Sequence, residues 1–364
     1  MLTNLSNKPT IYFHDTVELT TKKMVGHYLY GARALGLTKA DDLILLHPLL
    51  QSELQYILSH YENIGLHHTH HIIWDISPHI LSKYAEYELS VFFFGKTIEQ
   101  VRMNKAWFDI VNYANCKNNF IKFADTLSLP VPTTFCFQNK SALSHIDSFP
   151  CYLKASVSVS GTEIYRCQNK DELKTALMQF DDNVPFQIQE EIKSNIFLNL
   201  QYEVNHQGLQ RLAVTEQLLN GYSHCGNLFP VPYEPWHCVQ PIAEWMYDKG
   251  MQGIFGFDVA VVKEDERIKY LLIECNPRFN GASYPTKIGL KLKIPSWIYE
   301  EMETIHRSLK DIDMNGIEFN PDTKTGVVIV NWGTVLAGKI GVLIAGTIEQ
   351  QNALRKKLKK SLTS

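Results

Sequence analysis

Glu274, Asn276 and Arg278 stand at every second position at the end of an apolar run, Tyr270 to Ile273. Such a run reads as a buried strand, and residues two apart on a strand leave by the same face. A carboxylate and an amide oxygen on one face are hard donors of the kind Mg²⁺ takes, and a guanidinium at the next step suits a phosphate oxygen. The chemistry they point to is that of ATP. The same residues also read as a strand closing in a polar Asn-Pro turn, with Arg278 as a surface ion-pair partner.

Elements must exist to position them. The 364 residues are enough for two or three packed subdomains, and 45% hydrophobic with 20% charged residues is ordinary for a globular protein. A net charge of −3 does not favour nucleic acid as a partner. The basic run Arg355 to Lys360 reads as a helix end favoured by the helix dipole, in preference to a membrane or RNA contact. No run of 18 apolar residues is present, so no membrane span is expected. Seven cysteines without C-x-x-C spacing suit free thiols and a cytoplasmic location.

Residues 1–105 read as a small α/β unit, with strands at Leu43–Leu46 and His71–Asp75 around a helix over Leu49–Tyr61. Residues 106–305 read as two lobes hinged near 186–192. The first lobe has helices at Lys105–Leu127 and Asp171–Phe180; the second is mostly antiparallel strands, with a helix near Ala243–Gln252 and a charged hairpin at Lys263–Arg267. Residues 306–364 read as a small α+β appendix: strands Gly326–Trp332 and Gly341–Ala345, then a helix Ile348–Lys360 begun by a Thr347/Gln350 capping box.

The segment Glu274-Cys-Asn-Pro-Arg278 resembles the metal-binding signature of the ATP-grasp superfamily. Further landmarks follow in the expected order. Lys117 and Lys122 before Leu129-Pro-Val-Pro132 are similar to the family's two-lysine helix. Phe149–Ala155 is a short strand carrying Lys154, followed by the run Ser156–Thr162. Phe186–Ile192 resembles the hinge strand that holds adenine, and Phe255–Val262 the strand carrying the first metal carboxylate, here Asp258. On these motifs the chain is identified as a member with an α/β (α+β) ATP-grasp fold, a preceding α/β domain and a C-terminal appendix. The tail is similar to that of pheganomycin-type peptide ligases.

The resemblance implies ATP and Mg²⁺ (or Mn²⁺) as cofactors. Asp258, Glu274 and Asn276 would hold the metal, and Arg278 with Lys154 would stabilise the transferring phosphoryl group. Lys117 and Lys154 would meet the phosphates beneath a loop of Ser160, Gly161 and Thr162. That loop is poorer in glycine than the family's, and its hydroxyls can donate instead. Glu190, Glu191 and Ile192 would read adenine. No carboxylate stands in 194–199 for the ribose, where Asn195 or Asn199 are the alternatives. Glu216, His224, Asn227, Asn280, Gly281 and Ser283 are substrate-side candidates. His67–His71 places His68 and His70 on one strand face, with no cysteine or acidic residue at ligand spacing, so no functional metal site is expected there.

The implied activity is an ATP-dependent carboxylate–amine ligase acting through an acyl-phosphate, with a small acid and an amine, such as an amino acid or peptide, as partners. Many members are dimers. A carboxylate–thiol ligase or carboxylase-like enzyme, and a non-catalytic nucleotide-binding regulator, are the alternatives.

Overall fold

The computed structural model describes residues 8–17, 25–102, 104–143, 146–157, 164–221, 223–264 and 267–364. Near the N-terminus, β1 (Thr10–Phe13), β2 (Leu43–Leu45), β3 (Ile72–Ile73) and β4 (Glu88–Val91) form a parallel sheet in the order β3-β2-β1-β4. Parallel neighbours need a crossover, and α1 (Leu54–Asn63) supplies the one between β2 and β3. The expected strand at 71–75 is only these two residues long, and a 3₁₀ segment, Pro48–Glu53, occupies the start of the expected first helix.

A second sheet, order β5-β8-β6-β7, is antiparallel: β5 (Thr134–Phe137), β6 (Cys151–Ala155), β7 (Ile164–Cys167) and β8 (Phe186–Glu190). It has its own core around Leu153, Phe186 and Ile188. The third sheet runs β13-β12-β9-β10-β11-β14-β16-β15, also antiparallel. Its strands are β9 (Phe197–Asn205), β10 (Gly208–Asn220), β11 (Ser223–Phe229), β12 (Gly253–Glu264), β13 (Arg267–Asn276), β14 (Trp297–Glu303), β15 (Gly326–Asn331) and β16 (Lys339–Ala345). The tail strands therefore continue the large sheet through β14. They share one core with the first unit, in which Leu29, Leu35 and Ile57 pack with Val328, Trp332, Leu343 and Leu358.

The remaining helices are α2 (Lys96–Val101), α3 (Lys105–Asn115), α4 (Lys117–Thr126), α5 (Lys170–Leu177), α6 (Trp236–Asp248), α7 (Ser283–Lys291) and α8 (Ile348–Thr363). The capping box of Thr347 and Gln350 starts α8 as the sequence indicates. Two helices depart from expectation. The single helix over Lys105–Leu127 is broken at Cys116, whose backbone is extended (φ −82°, ψ 110°). The break lets the first N–H of α4, on Lys117, bond the Ser156 carbonyl at 2.7 Å, anchoring the helix to the end of β6. The helix near Ala243–Gln252 instead runs Trp236–Asp248 and carries Pro241 inside it. Burial of Cys238, Val239, Ile242 and Met246 along one face outweighs the one backbone bond that Pro241 removes.

Candidate functional site

Three adjacent strands converge on one point. β12 pairs Asp258 with Glu274 on β13 and, on its other side, with Asn199 on β9. The ladder between β12 and β13 shifts register immediately after Asp258, a bulge that re-aims side chains locally. Asn199 Nδ2 donates to Asp258 Oδ1 at 2.6 Å and Asn276 Nδ2 to Asp258 Oδ2 at 3.2 Å, leaving the Asn276 oxygen uncommitted by these bonds. The Asn199 oxygen accepts from Gln201 Nε2, and the same Nε2 donates to Asn280 Oδ1 at 2.9 Å. Asn199, the alternative for ribose, is thus committed to Asp258.

The charges around this point are unequal. Glu274 Oε2 meets Lys117 Nζ at 2.9 Å. Burial pushes the Glu274 carboxyl upward, but Lys117, with Lys154 adding, outweighs it and holds the group ionised well below its ordinary value. Asp258 is raised, first by burial and then by the negative charge of Glu274. Two carboxyls facing each other beside the Asn276 oxygen are a set of hard oxygen donors, and a divalent cation between them would relieve the repulsion that raises Asp258, so the donor set fits such an ion.

The break at Cys116 turns Lys117 inward, and Lys154 reaches in from β6. Lys154 is buried, donates to Gln189 Oε1 at 2.6 Å, and is lowered to about 8 by desolvation, which Lys117 reinforces and Glu274 opposes. Arg278 is buried and donates to Asn115 Oδ1 at 2.8 Å, from the last residue of α3. All three cations line one cavity of about 550 Å³, together with Asp258, Glu274 and Asn276.

Ile164, Ile192, Phe197 and Ile273 give part of that cavity an apolar wall, and Glu190 lines it too. Glu191 does not line it. Its carboxylate pairs with Arg166 at 2.5 Å, and its N–H donates to the Pro150 carbonyl, so neither group is directed to a base. Glu190 lies on the wall, with one oxygen accepting from the Thr133 N–H at 2.8 Å. Ser160, Gly161 and Thr162 lie outside the described residues.

Beyond the Asp258–Glu274 pair, His224, Asn280 and Gly281 line the cavity; Glu216, Asn227 and Ser283 do not. Asn227 acts through His224: its Nδ2 donates to Thr215 Oγ1, so its oxygen receives the proton of His224 Nε2 at 2.6 Å. Burial lowers the His224 imidazolium, so the ring is neutral and its Nδ1 carries the lone pair. Ser283 Oγ donates to Gln201 Oε1, bracing the strand that holds Asn199.

Sequence reasoning missed Arg33. It is 7% exposed and lines this end of the cavity, its guanidinium carbon 4.0, 4.8 and 5.3 Å from the ring centres of Tyr284, Phe92 and Tyr30. Among the described residues no carboxylate pairs with it, and its Nε has no hydrogen-bond partner. Glu301 lines the same end and accepts from Tyr30 Oη at 3.2 Å. A signal did exist for Asn199 and Gln201: two polar residues alternating with Leu198 and Leu200 in the first half of the strand.

No protein-family model matches the chain, and no curated protein matches it in sequence. Solved structures match along nearly its whole length. N5-carboxyaminoimidazole ribonucleotide synthetase from Thermus thermophilus is 12% identical with a TM-score of 0.59, covering 98% of each chain. N5-carboxyaminoimidazole synthetase from Staphylococcus aureus, complexed with ADP, is 10% identical with a TM-score of 0.58, over 97% of this chain and 96% of that one. Biotin carboxylase from Campylobacter jejuni, in a β-γ-ATP complex, is 13% identical with a TM-score of 0.63, over 91% and 88%. At these identities the likeness is one of fold, and the fold is that of the ATP-grasp enzymes.

Proposed function

We propose that the protein is an ATP-dependent carboxylate–amine ligase. The observation that carries this reading is the convergence of Asp258, Glu274 and Asn276 with Lys117, Lys154 and Arg278 on one cavity. A triphosphate needs that arrangement of cations, with a divalent metal at its centre. Asp258, Glu274 and Asn276 would hold Mg²⁺ or Mn²⁺, which neutralises phosphate charge when bound. Lys117 and Lys154 would meet phosphate oxygens, and Arg278 the transferring group. The apolar wall at Ile164, Ile192 and Ile273 would cover adenine. The nucleotide-bound neighbours support this reading.

The acid would lie at the Arg33 end. A buried guanidinium without a carboxylate partner is costly, and a substrate carboxylate compensates it. That carboxylate attacks the γ-phosphorus, ADP leaves, and an acyl-phosphate results. The amine, held toward Glu301, attacks the acyl carbon and expels phosphate as the amide forms. Its proton passes to a base, for which the neutral His224 ring is the candidate. An amino acid or peptide fits a site with Arg33 and Glu301 at one end. The chain is read as three units, 1–105, 106–305 and 306–364, working in a reducing cytoplasm, with a homodimer as one state.

A second reading has one observation behind it. The fold likeness includes enzymes named as carboxylases, in which bicarbonate would be the acid. ADP release with Mg·ATP across acids, amino acids and bicarbonate separates the two. An acid and amine together giving ADP and a new amide by mass, silent in Glu274→Gln, supports the ligase. Release that needs bicarbonate supports the carboxylase. No release and no Mg·ATP binding removes both.

A further inference from the structure

The histidine run in the first unit acquires a partner that its sequence spacing conceals. α1 ends at Asn63, and the chain returns through Gly65, in a left-handed conformation (φ 71°), toward β3. That return brings Glu62, from the last turn of α1, beside His68 and His70. One ligand-capable atom from each of the three lies within 4.8 Å of the other two. The lack of an acidic partner, which counted against this cluster in the sequence, is therefore corrected.

His68 is 7% exposed. Its Nδ1 lies 2.9 Å from the Leu66 carbonyl, an acceptor only, so Nδ1 carries the proton and Nε2 the lone pair. That Nε2 is buried and has no hydrogen-bond partner in the protein. An imidazole fixed by a carbonyl through one nitrogen, with the other left to ligate, is the arrangement that orients metal-bound histidines. Glu62 and His70 are exposed, so both side chains can rotate inward and solvent can fill a fourth position. Tetrahedral Zn²⁺ with bonds near 2.0–2.1 Å needs ligand atoms about 3.3 Å apart, a closure that those two mobile side chains supply. The Lys291 ammonium, whose positive charge acts on His68, is held by the carbonyls of Gly36, Thr38 and His67 at 2.8–3.0 Å.

We propose that Glu62, His68 and His70 form a binding site for a borderline divalent cation, Zn²⁺ first, separate from the nucleotide cavity. Two imidazoles and a carboxylate favour Zn²⁺ over the oxygen-preferring Mg²⁺ and Ca²⁺. The ion would pin the end of α1 to the approach of β3. Lys291, by holding the His67 carbonyl, ties that same segment to α7, which follows Arg278 in the chain. The site does not depend on the ligase reading.

The test uses the full chain without a histidine tag, freed of metal by chelator, with millimolar Mg²⁺ in every sample to occupy oxygen-only sites. Zn²⁺ is titrated against a chromophoric competitor, and Co²⁺ is added separately to read four-coordinate visible bands. The expected result is one equivalent of Zn²⁺ bound. Both Glu62→Gln and His70→Ala, exposed positions that leave the fold intact, should weaken it at least tenfold. Zn²⁺ should also raise the thermal midpoint of the parent chain and not of Glu62→Gln. Binding that is weak, of no fixed stoichiometry, or equal in parent and variants means an adventitious ion only and overturns the proposal. Mg·ATP binding measured alongside judges the ligase reading independently.

Discussion

Lys117 Nζ and Glu274 Oε2 stand 2.9 Å apart, pairing a lysine of the proposed phosphate site with a carboxylate of the proposed metal site. In the protein without ligands each serves as the other's counter-ion. Binding of metal and nucleotide would exchange this pair for two others, Glu274 with the cation and Lys117 with phosphate. The site thereby keeps its charges compensated in both states.

Lys117→Met breaks that exchange. It leaves Glu274 facing Asp258 with less positive charge nearby, and stability without ligands should fall by about 2–3 kcal/mol. Mn²⁺ alone should then bind more tightly than to the parent chain, because a competing cation is gone, while Mg·ATP binds more weakly. Denaturant unfolding and Mn²⁺ paramagnetic titration measure both. Unchanged Mn²⁺ affinity would show that the carboxylate pair is not the metal site.

Lys154 sets a pH limit on nucleotide binding. Desolvation lowers its ammonium to about 8. In the free protein its charge is lost as pH rises through that value, so Mg·ATP affinity should decline above about pH 8. Stability has the opposite sign: the unfolded chain holds the extra proton between about 8 and 10.5, so this group makes folding more favourable as pH rises there and contributes no slope below. In Lys154→Arg the charge persists and the affinity decline should vanish. Calorimetry from about pH 7 to about pH 9.5 decides it; a parent chain whose affinity is flat across that range contradicts the assignment.

Asn199 lines the cavity, and its amide donates to Asp258 and fixes it. Asn199→Leu keeps the size and removes the donor. Turnover and Mn²⁺ affinity should drop roughly 10- to 100-fold, with little change in KM for the amine. A loss confined to KM for ATP would instead place Asn199 at the ribose.

Arg33→Gln should raise KM for the acid at least tenfold and leave calorimetric Mg·ATP binding within about twofold, since its cavity end is remote from Lys154. Arg33→Lys should recover part of the loss through charge alone. If Arg33→Gln leaves acid KM untouched, the acid lies elsewhere.

The sequence discloses parts of this site that strand periodicity carries. Glu274 and Asn276 share a face because they are two apart on a strand, and Asp258 stands out as a carboxylate in an apolar run. What it conceals depends on breaks and long-range returns. The extended backbone at Cys116 that aims Lys117 lies within a stretch of helical pattern. Glu191 reads as an adenine residue until Arg166, across the small sheet, claims it. Arg33 has no motif, and its meaning comes from Tyr284 and Phe92, which are distant in sequence. Glu62 reaches His68 only through the return at Gly65. Local pattern records secondary structure, whereas tertiary closure decides which charge meets which.

The core shared between the first unit and β15, β16 and α8 bears on how the chain can be made. Leu29, Leu35 and Ile57 are translated before the whole middle of the chain, and their packing partners Val328, Leu343 and Leu358 after it. The N-terminal sheet therefore waits, with its apolar face exposed, while the middle of the chain is made. Its folding finishes only as the β15–β16 pair is released, so nascent chains stopped before residue 326 should bind holdase chaperones and be cut readily by protease within residues 25–63.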